Sequence, residues 1–139
     1  MVFILDSLAI GDHNDARSMP PGIQAFLNVA DEIDLQLPPG IPSHKVPIRD
    51  FIQIPPAQLR EAVDWIRKVI PGCRILVSCN AGVGRSSSVV ISYLCTVGFG
   101  FGQAVEFVAV KKPDISILPR LISSIREIGG DSGKGCQGI

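Results

Sequence analysis

Apolar positions along this chain fall into two spacings. Val2 to Ile10 (VFILDSLAI) and Ile23 to Val29 (IQAFLNV) are short, nearly continuous apolar runs bounded by Gly, Pro and Asp, as strands buried in a sheet are. His44 to Ile48 (HKVPI) predicts a third short strand. Pro47 has no N–H to give to a ladder, which puts this strand near an edge, with Asp50 just past its end. Residues 30 to 43, rich in acids and prolines, read as a surface loop, so Asp31, Glu32 and Asp34 are expected to be solvated charges. From Pro56 the period becomes helical. Leu59, Ala62, Val63, Ile66, Val69 and Ile70 share one face, Arg60, Glu61, Asp64, Arg67 and Lys68 the other, and Pro71-Gly72 stops the run. Trp65 flanks the apolar stripe as a packing residue. A β-branched strand over Arg74 to Val77 follows, then helices over 86–97, 102–112 and 118–128.

Strands alternating with helices predict a single α/β domain whose central, mostly parallel sheet is flanked by helices. The domain is assigned to residues 1–128, and the glycine-rich stretch 129–139 (GGDSGKGCQGI) is expected to be a disordered tail. Ligands of such sheets bind beyond the carboxyl ends of strands. The turn Cys79-Asn80-Ala81-Gly82-Val83-Gly84-Arg85-Ser86, between a predicted strand and a predicted helix, has that position.

Composition narrows the partners. The 139 residues are 46% hydrophobic, enough for one core, and 13 Lys plus Arg balance 13 Asp plus Glu. No overall basic field exists to gather nucleic acid or anionic lipid, so any anion site is local. The opening Met1-Val2-Phe3-Ile4-Leu5-Asp6 lacks a basic leader and reads as a strand rather than a signal peptide. No apolar run approaches the roughly twenty residues that span a bilayer. Four cysteines (Cys73, Cys79, Cys95, Cys136) show neither zinc spacing nor disulfide density, which fits reduced thiols and a cytoplasmic location. Cys73 and Cys95 are expected in the core. Gly11-Asp12-His13-Asn14-Asp15 superficially suggests metal ligands, but acids and Asn in a turn before a short helix read better as caps. Gly98, Gly100 and Gly102 follow a helix rather than a strand, and so read as a loop between helices and not as a nucleotide fingerprint.

The turn after the fourth strand carries the chemistry. A strand-to-helix turn presents unpaired N–H groups at the positive end of a helix dipole. Gly82 and Gly84 can adopt positive φ and let the amides curl inward as an anion nest. Arg85 adds a planar fork able to hold two phosphate oxygens. The same field favours the thiolate of Cys79, which makes it a nucleophile aimed at phosphorus. A leaving alcohol needs a proton, and Asp50, at the end of a neighbouring strand, is the acid best placed to give it. Asp64 and Glu61 on the polar helix face, and Asp114 after Pro113, read as solvated or capping charges.

Cys79-Asn80-Ala81-Gly82-Val83-Gly84-Arg85-Ser86 resembles the signature loop of the cysteine-based protein tyrosine phosphatases, in particular their small dual-specificity branch. Leu8 to Asp12 with Ala16, Gly22 to Val29, Val46-Pro47-Ile48-Arg49-Asp50 and Lys111-Lys112-Pro113 with Ile115-Ser116 are similar to further stretches of that family, in order over residues 1 to about 128. The resemblance implies that Cys79 forms a phosphocysteine, that the backbone from Asn80 through Ala81, Gly82, Val83 and Gly84 to Arg85 binds the phosphoryl oxygens, and that Asp50 protonates the leaving oxygen and then assists water. Ser86 would hydrogen-bond the Cys79 sulfur. It implies no metal and no cofactor, a shallow pocket, and a phosphorylated protein or peptide as substrate; the chain is expected to be a monomer. Ser78 stands where the family usually has His, so the helix N-terminus and Arg85 are left to stabilise the thiolate. The loop also resembles that of glucan phosphatases, although one Trp and one Tyr leave little to stack on sugars. A third alternative is a pseudophosphatase that binds phosphorylated partners, against which stand Cys79, Arg85 and Asp50.

Overall fold

The computed structural model describes residues 1–129. The tail expected over 129–139 lies, but for Gly129, outside the described residues. Five strands form one sheet in the order β1-β2-β5-β3-β4, with β1 at Val2–Leu5, β2 at Leu8–Asp12, β3 at Ala25–Asn28, β4 at Ser43–Lys45 and β5 at Ile75–Cys79. β2, β5, β3 and β4 run parallel, and only β1 is antiparallel, to β2. This is the mostly parallel α/β sheet the sequence predicts, with one correction. The run over residues 2–10 is a hairpin, because Asp6 and Ser7 form a turn and fold Val2 back against Ile10. The third predicted strand is shorter and earlier than expected. It ends at Lys45, since Val46-Pro47 leaves the ladder after the Val46 amide donates to the Asn28 carbonyl.

Alternation along the strands separates two faces. Leu8, Ile10, Ala25, Leu27, Ile75, Val77 and Cys79 point into the main core. Ala9, Phe26 and Leu76 point into a smaller cluster with Ala16, over which Met19, Ile23, Leu35, Leu37 and Ile41 close. On the main face pack α2 (Pro56–Val69), α3 (Arg85–Thr96), α4 (Phe101–Lys111) and α5 (Leu121–Glu127); the short α1 (His13–Arg17) lies with the smaller cluster. α2 has the predicted faces, burying Leu59, Ala62, Val63 and Ile66. α3 is buried on every side from Arg85 to Cys95, which makes it the central helix of the layer.

Small details agree with the pattern. Cys95 is buried and Cys73 half-buried. Gly98, with φ at +116°, and Gly100 connect α3 to α4. Trp65 stacks on His44, whose Nε2 lies 2.7 Å from Glu61 Oε2. Glu61 is therefore paired rather than merely solvated, as are Asp34 with Lys45 at 2.8 Å and Asp114 with Lys112 at 3.0 Å. No described helix is long and apolar enough to cross a membrane.

Buried Ser124 of α5 ties the segment after residue 50 to the helical layer. Its Oγ donates to the Ile54 carbonyl at 2.7 Å and accepts from Gln53 Nε2 at 3.1 Å. Ser124→Ala would strand both partners, and a buried polar group left unpaired costs about 1–3 kcal/mol. We expect a lower urea midpoint with an unchanged slope, measured by circular dichroism.

Candidate active site

The parallel register sets Asp12 beside Cys79, and Asn28 beside Ser78, at the carboxyl ends of three adjacent strands. Cys79 is the last residue of β5 and Arg85 the first of α3, so the loop between them occupies the predicted position. Gly82 has φ at +75°, and a Cβ there would stand 2.9 Å from the Gly11 carbonyl carbon. Glycine is needed twice over, for the backbone turn and for the close approach to β2. Gly84 differs from expectation: its φ is −110°, in the region open to all residues. Its importance is spatial. A Cβ there would lie 3.5 Å from Asp50 Oδ1 and 3.7 Å from Leu118, filling the space between the loop and the acid.

Inside the loop the Cys79 sulfur is 2% exposed by residue, accepts the Gly82 amide at 3.2 Å and lies 3.3 Å from Ser86 Oγ. The Gly82 amide points its N–H at the sulfur, and the Ser86 hydroxyl lies within hydrogen-bond reach of it. Asp50 is five residues past the end of β4 rather than at a strand end, yet the chain returns it to the loop. Its Oδ2 is 3.7 Å from Arg85 Nη2, and its Oδ1 accepts the Phe51 amide at 2.9 Å. Phe51 takes φ at +66°, costly for a bulky side chain, and is 85% exposed. Ser78 Oγ, one residue before Cys79, is buried and has no partner.

Arg85 departs furthest from the sequence-based expectation. It is 1% exposed, and its two terminal nitrogens are held by a carboxylate already in the protein: Nη1 donates to Glu32 Oε1 at 2.7 Å and Nη2 to Glu32 Oε2 at 2.6 Å. Nη1 also donates to the Ile48 carbonyl at 3.0 Å. The buried Nε is unpartnered. Glu32 therefore corrects the assignment of its segment to solvated charges. Its hydrogen bonds from Arg85 and, secondarily, Asn80 Nδ2 outweigh partial desolvation and lower its pKa to about 2, while Glu32 in turn raises that of Arg85. The local cause is Asn28, at the end of β3. Its Oδ1 accepts the Ala30 amide at 3.0 Å and its Nδ2 donates to the Ile33 carbonyl at 2.6 Å, curling residues 30–33 back over the sheet rim. Asn28, the next-to-last residue of the run IQAFLNV, is the sequence sign of this turn.

The acidic turn after β2 is a cap, as expected. Asp12 is the N-cap of α1 and exchanges hydrogen bonds with Asp15. No metal-binding group of His, Cys, Asp and Glu occurs among the described residues.

Residues 11–130 match the dual specificity phosphatase catalytic domain family. The chain belongs to that family. It is 30% identical over 88 residues to Dual specificity protein phosphatase 15 of Rattus norvegicus, covering 61% of this chain and 37% of that protein. Over an alignment of 145 residues it is 31% identical to Dual specificity protein phosphatase 16 of Homo sapiens, covering 94% of this chain and 21% of that protein. The chain thus spans less than half the length of these relatives. Among solved structures, DUSP15 superposes with a TM-score of 0.80 at 24% identity, over 93% of this chain and 86% of that one. Human DUSP28 superposes with a TM-score of 0.79 at 21% identity over 99% of both chains. A mouse putative dual specificity phosphatase complexed with zinc tungstate gives 0.82 at 20% identity, over 98% of this chain and 89% of that one. At such identities these structures carry the fold. The family assignment agrees with the resemblance read from the loop.

The Glu32 pairing has a pH signature. Its carboxyl ionises more readily in the fold than in the unfolded chain, so its contribution to stability is full above pH 4.5 and fades as pH falls through about 2. Glu32→Gln should be less stable than wild type at pH 7, with the gap in urea midpoint closing as the pH is lowered from 4.5 toward 2.5. A gap independent of pH would deny the ionised pairing.

Proposed function

We propose that this domain is a cysteine-dependent phosphatase that hydrolyses phosphomonoesters on proteins or peptides, phosphotyrosine included, through a cysteinyl-phosphate intermediate. The observation that carries the reading is the convergence on one loop of the Cys79 sulfur, the Asp50 carboxyl and the unpartnered Nε of Arg85. A phosphoryl group seated among the amides from Asn80 to Arg85 meets the thiolate from below. Arg85 offers it Nε, with the terminal nitrogens fixed by Glu32.

In the first step the Cys79 thiolate attacks phosphorus, an S–P bond forms, the P–O bond to the leaving group breaks, and Asp50 transfers its proton to the leaving oxygen. In the second, Asp50, now a carboxylate, takes a proton from water as the water oxygen attacks phosphorus. The S–P bond breaks, inorganic phosphate leaves and the thiolate is restored. Ser86, 3.3 Å from the sulfur, stabilises it as it departs. The residues supply nucleophile, acid and anion cradle without a cofactor.

Two substitutions test the roles. Cys79→Ser should reduce turnover of phosphotyrosine peptides to below about a per cent of wild type, since a serine hydroxyl is scarcely ionised, while inorganic vanadate still binds the amide cradle. Retained turnover would assign the nucleophile elsewhere. Asp50→Asn should cost roughly a hundredfold with phosphotyrosine and much less with p-nitrophenyl phosphate, whose leaving group needs no proton. Equal losses on the two substrates would make Asp50 structural.

A further inference from the structure

The Gly82 amide turns inward to the Cys79 sulfur, and the carbonyls that such a loop turns outward each need a donor of their own. Two outward carbonyls have identifiable donors outside the loop and its helix. Val83 O accepts the amide of Ser116 at 2.7 Å, a backbone contact that any residue at 116 except proline could make. Asn80 O, directly after the nucleophile, lies 2.9 Å from the Nδ1 of His13. A carbonyl can only accept, so His13 donates through Nδ1. This second contact depends on a side chain, and on a residue the catalytic scheme leaves unused.

The ground beneath His13 is rigid. Asp12 is locked by its reciprocal hydrogen bonds with Asp15. The backbone of Gly11 and Asp12 is the surface against which Gly82 packs, with a Cβ at Gly82 only 2.9 Å from the Gly11 carbonyl carbon and 3.1 Å from the Asp12 nitrogen. On its other side Asn80 gives its Nδ2 to Glu32 Oε2 at 3.1 Å. Asn80 is therefore gripped from two directions, its side chain toward the arginine's partner and its carbonyl toward α1.

We propose that His13 is a positioning residue of the phosphate loop: by holding the Asn80 carbonyl outward it keeps the following amides turned toward the phosphoryl site and the Cys79 sulfur. The proposal rests on the phosphatase reading only for its effect on turnover. Its effect on the loop stands independently. The contact is exposed, so its loss loosens the loop rather than the fold, and any side chain that places an N–H at the position of Nδ1 can serve.

Asparagine places its amide nitrogen there. The test compares wild type, His13→Ala and His13→Asn in the full chain by three readouts: hydrogen exchange of the peptide covering residues 79–85, the dissociation constant of inorganic vanadate, and kcat and KM with p-nitrophenyl phosphate. His13→Ala should speed exchange in the loop and weaken vanadate about threefold to tenfold, the worth of one ordinary hydrogen bond. Its melting temperature should stay within about a degree of wild type, and His13→Asn should restore loop exchange and vanadate affinity. Loop exchange unchanged in His13→Ala would overturn the proposal, as would a faster exchange that Asn fails to rescue. Faster, rescued exchange in a protein without turnover would uphold the brace and reject the phosphatase reading instead.

Discussion

A guanidinium almost wholly removed from water is the constraint on which the rest of this site depends. Burying a charge costs several kcal/mol unless hydrogen bonds and an opposite charge replace the lost hydration. Arg85 receives both from the segment between β3 and α2: two oxygens from Glu32, a carbonyl from Ile48 and the field of Asp50. That segment contains one short strand, and these contacts add to the Asn28 hydrogen bonds and to the burial of Val46, Ile48 and Ile54 that hold it against the sheet. In the proposed mechanism Arg85 would meet phosphate through Nε, whereas the contacts that hold the acid-bearing segment use its terminal nitrogens, so the two roles use different atoms.

The second constraint is that α3 begins inside the protein. Its first turn has no side-chain cap, and Ser86, Ser87 and Ser88 are all buried. Ser88 Oγ accepts the Leu118 amide and Ser92 Oγ donates to the Ser88 carbonyl, so the polar groups of the central helix are largely matched within the layer. The helix N-terminus is left facing the loop, where an anion can complete it. Ser78 and Ser87 are exceptions, two buried hydroxyls without partners.

How much of this could be read from the letters follows from where each interaction originates. The helix over 56–69 and the strand-loop-helix around Cys79 were legible because periodicity and glycine placement are local properties. The hairpin in the first run was not, since its apolar letters are broken only by Asp6 and Ser7 and a turn there competes with a single longer strand. Glu32 was illegible for a different reason. Nothing near it in sequence distinguishes it from Asp31 or Asp34; its role comes from the Arg85 guanidinium, brought to it by strand order. His13 sits in a turn whose acids read as caps, as Asp12 and Asp15 are, while its own partner lies across the β2–β5 pairing. Gly84 was placed correctly in the loop, but for a backbone conformation it does not adopt.

The brevity of β4 bears on what the sheet can accept. An edge strand offers unpaired N–H and C=O groups to any extended chain that passes. Here that edge is only Ser43–Lys45, with Pro42 before it and Pro47 shortly after, and its two long side chains are engaged with Glu61 and Asp34. Too few consecutive groups remain for an incoming strand to form a ladder. On this side the sheet offers an incoming strand little to pair with, whether that strand belongs to a second copy of the chain or to a peptide.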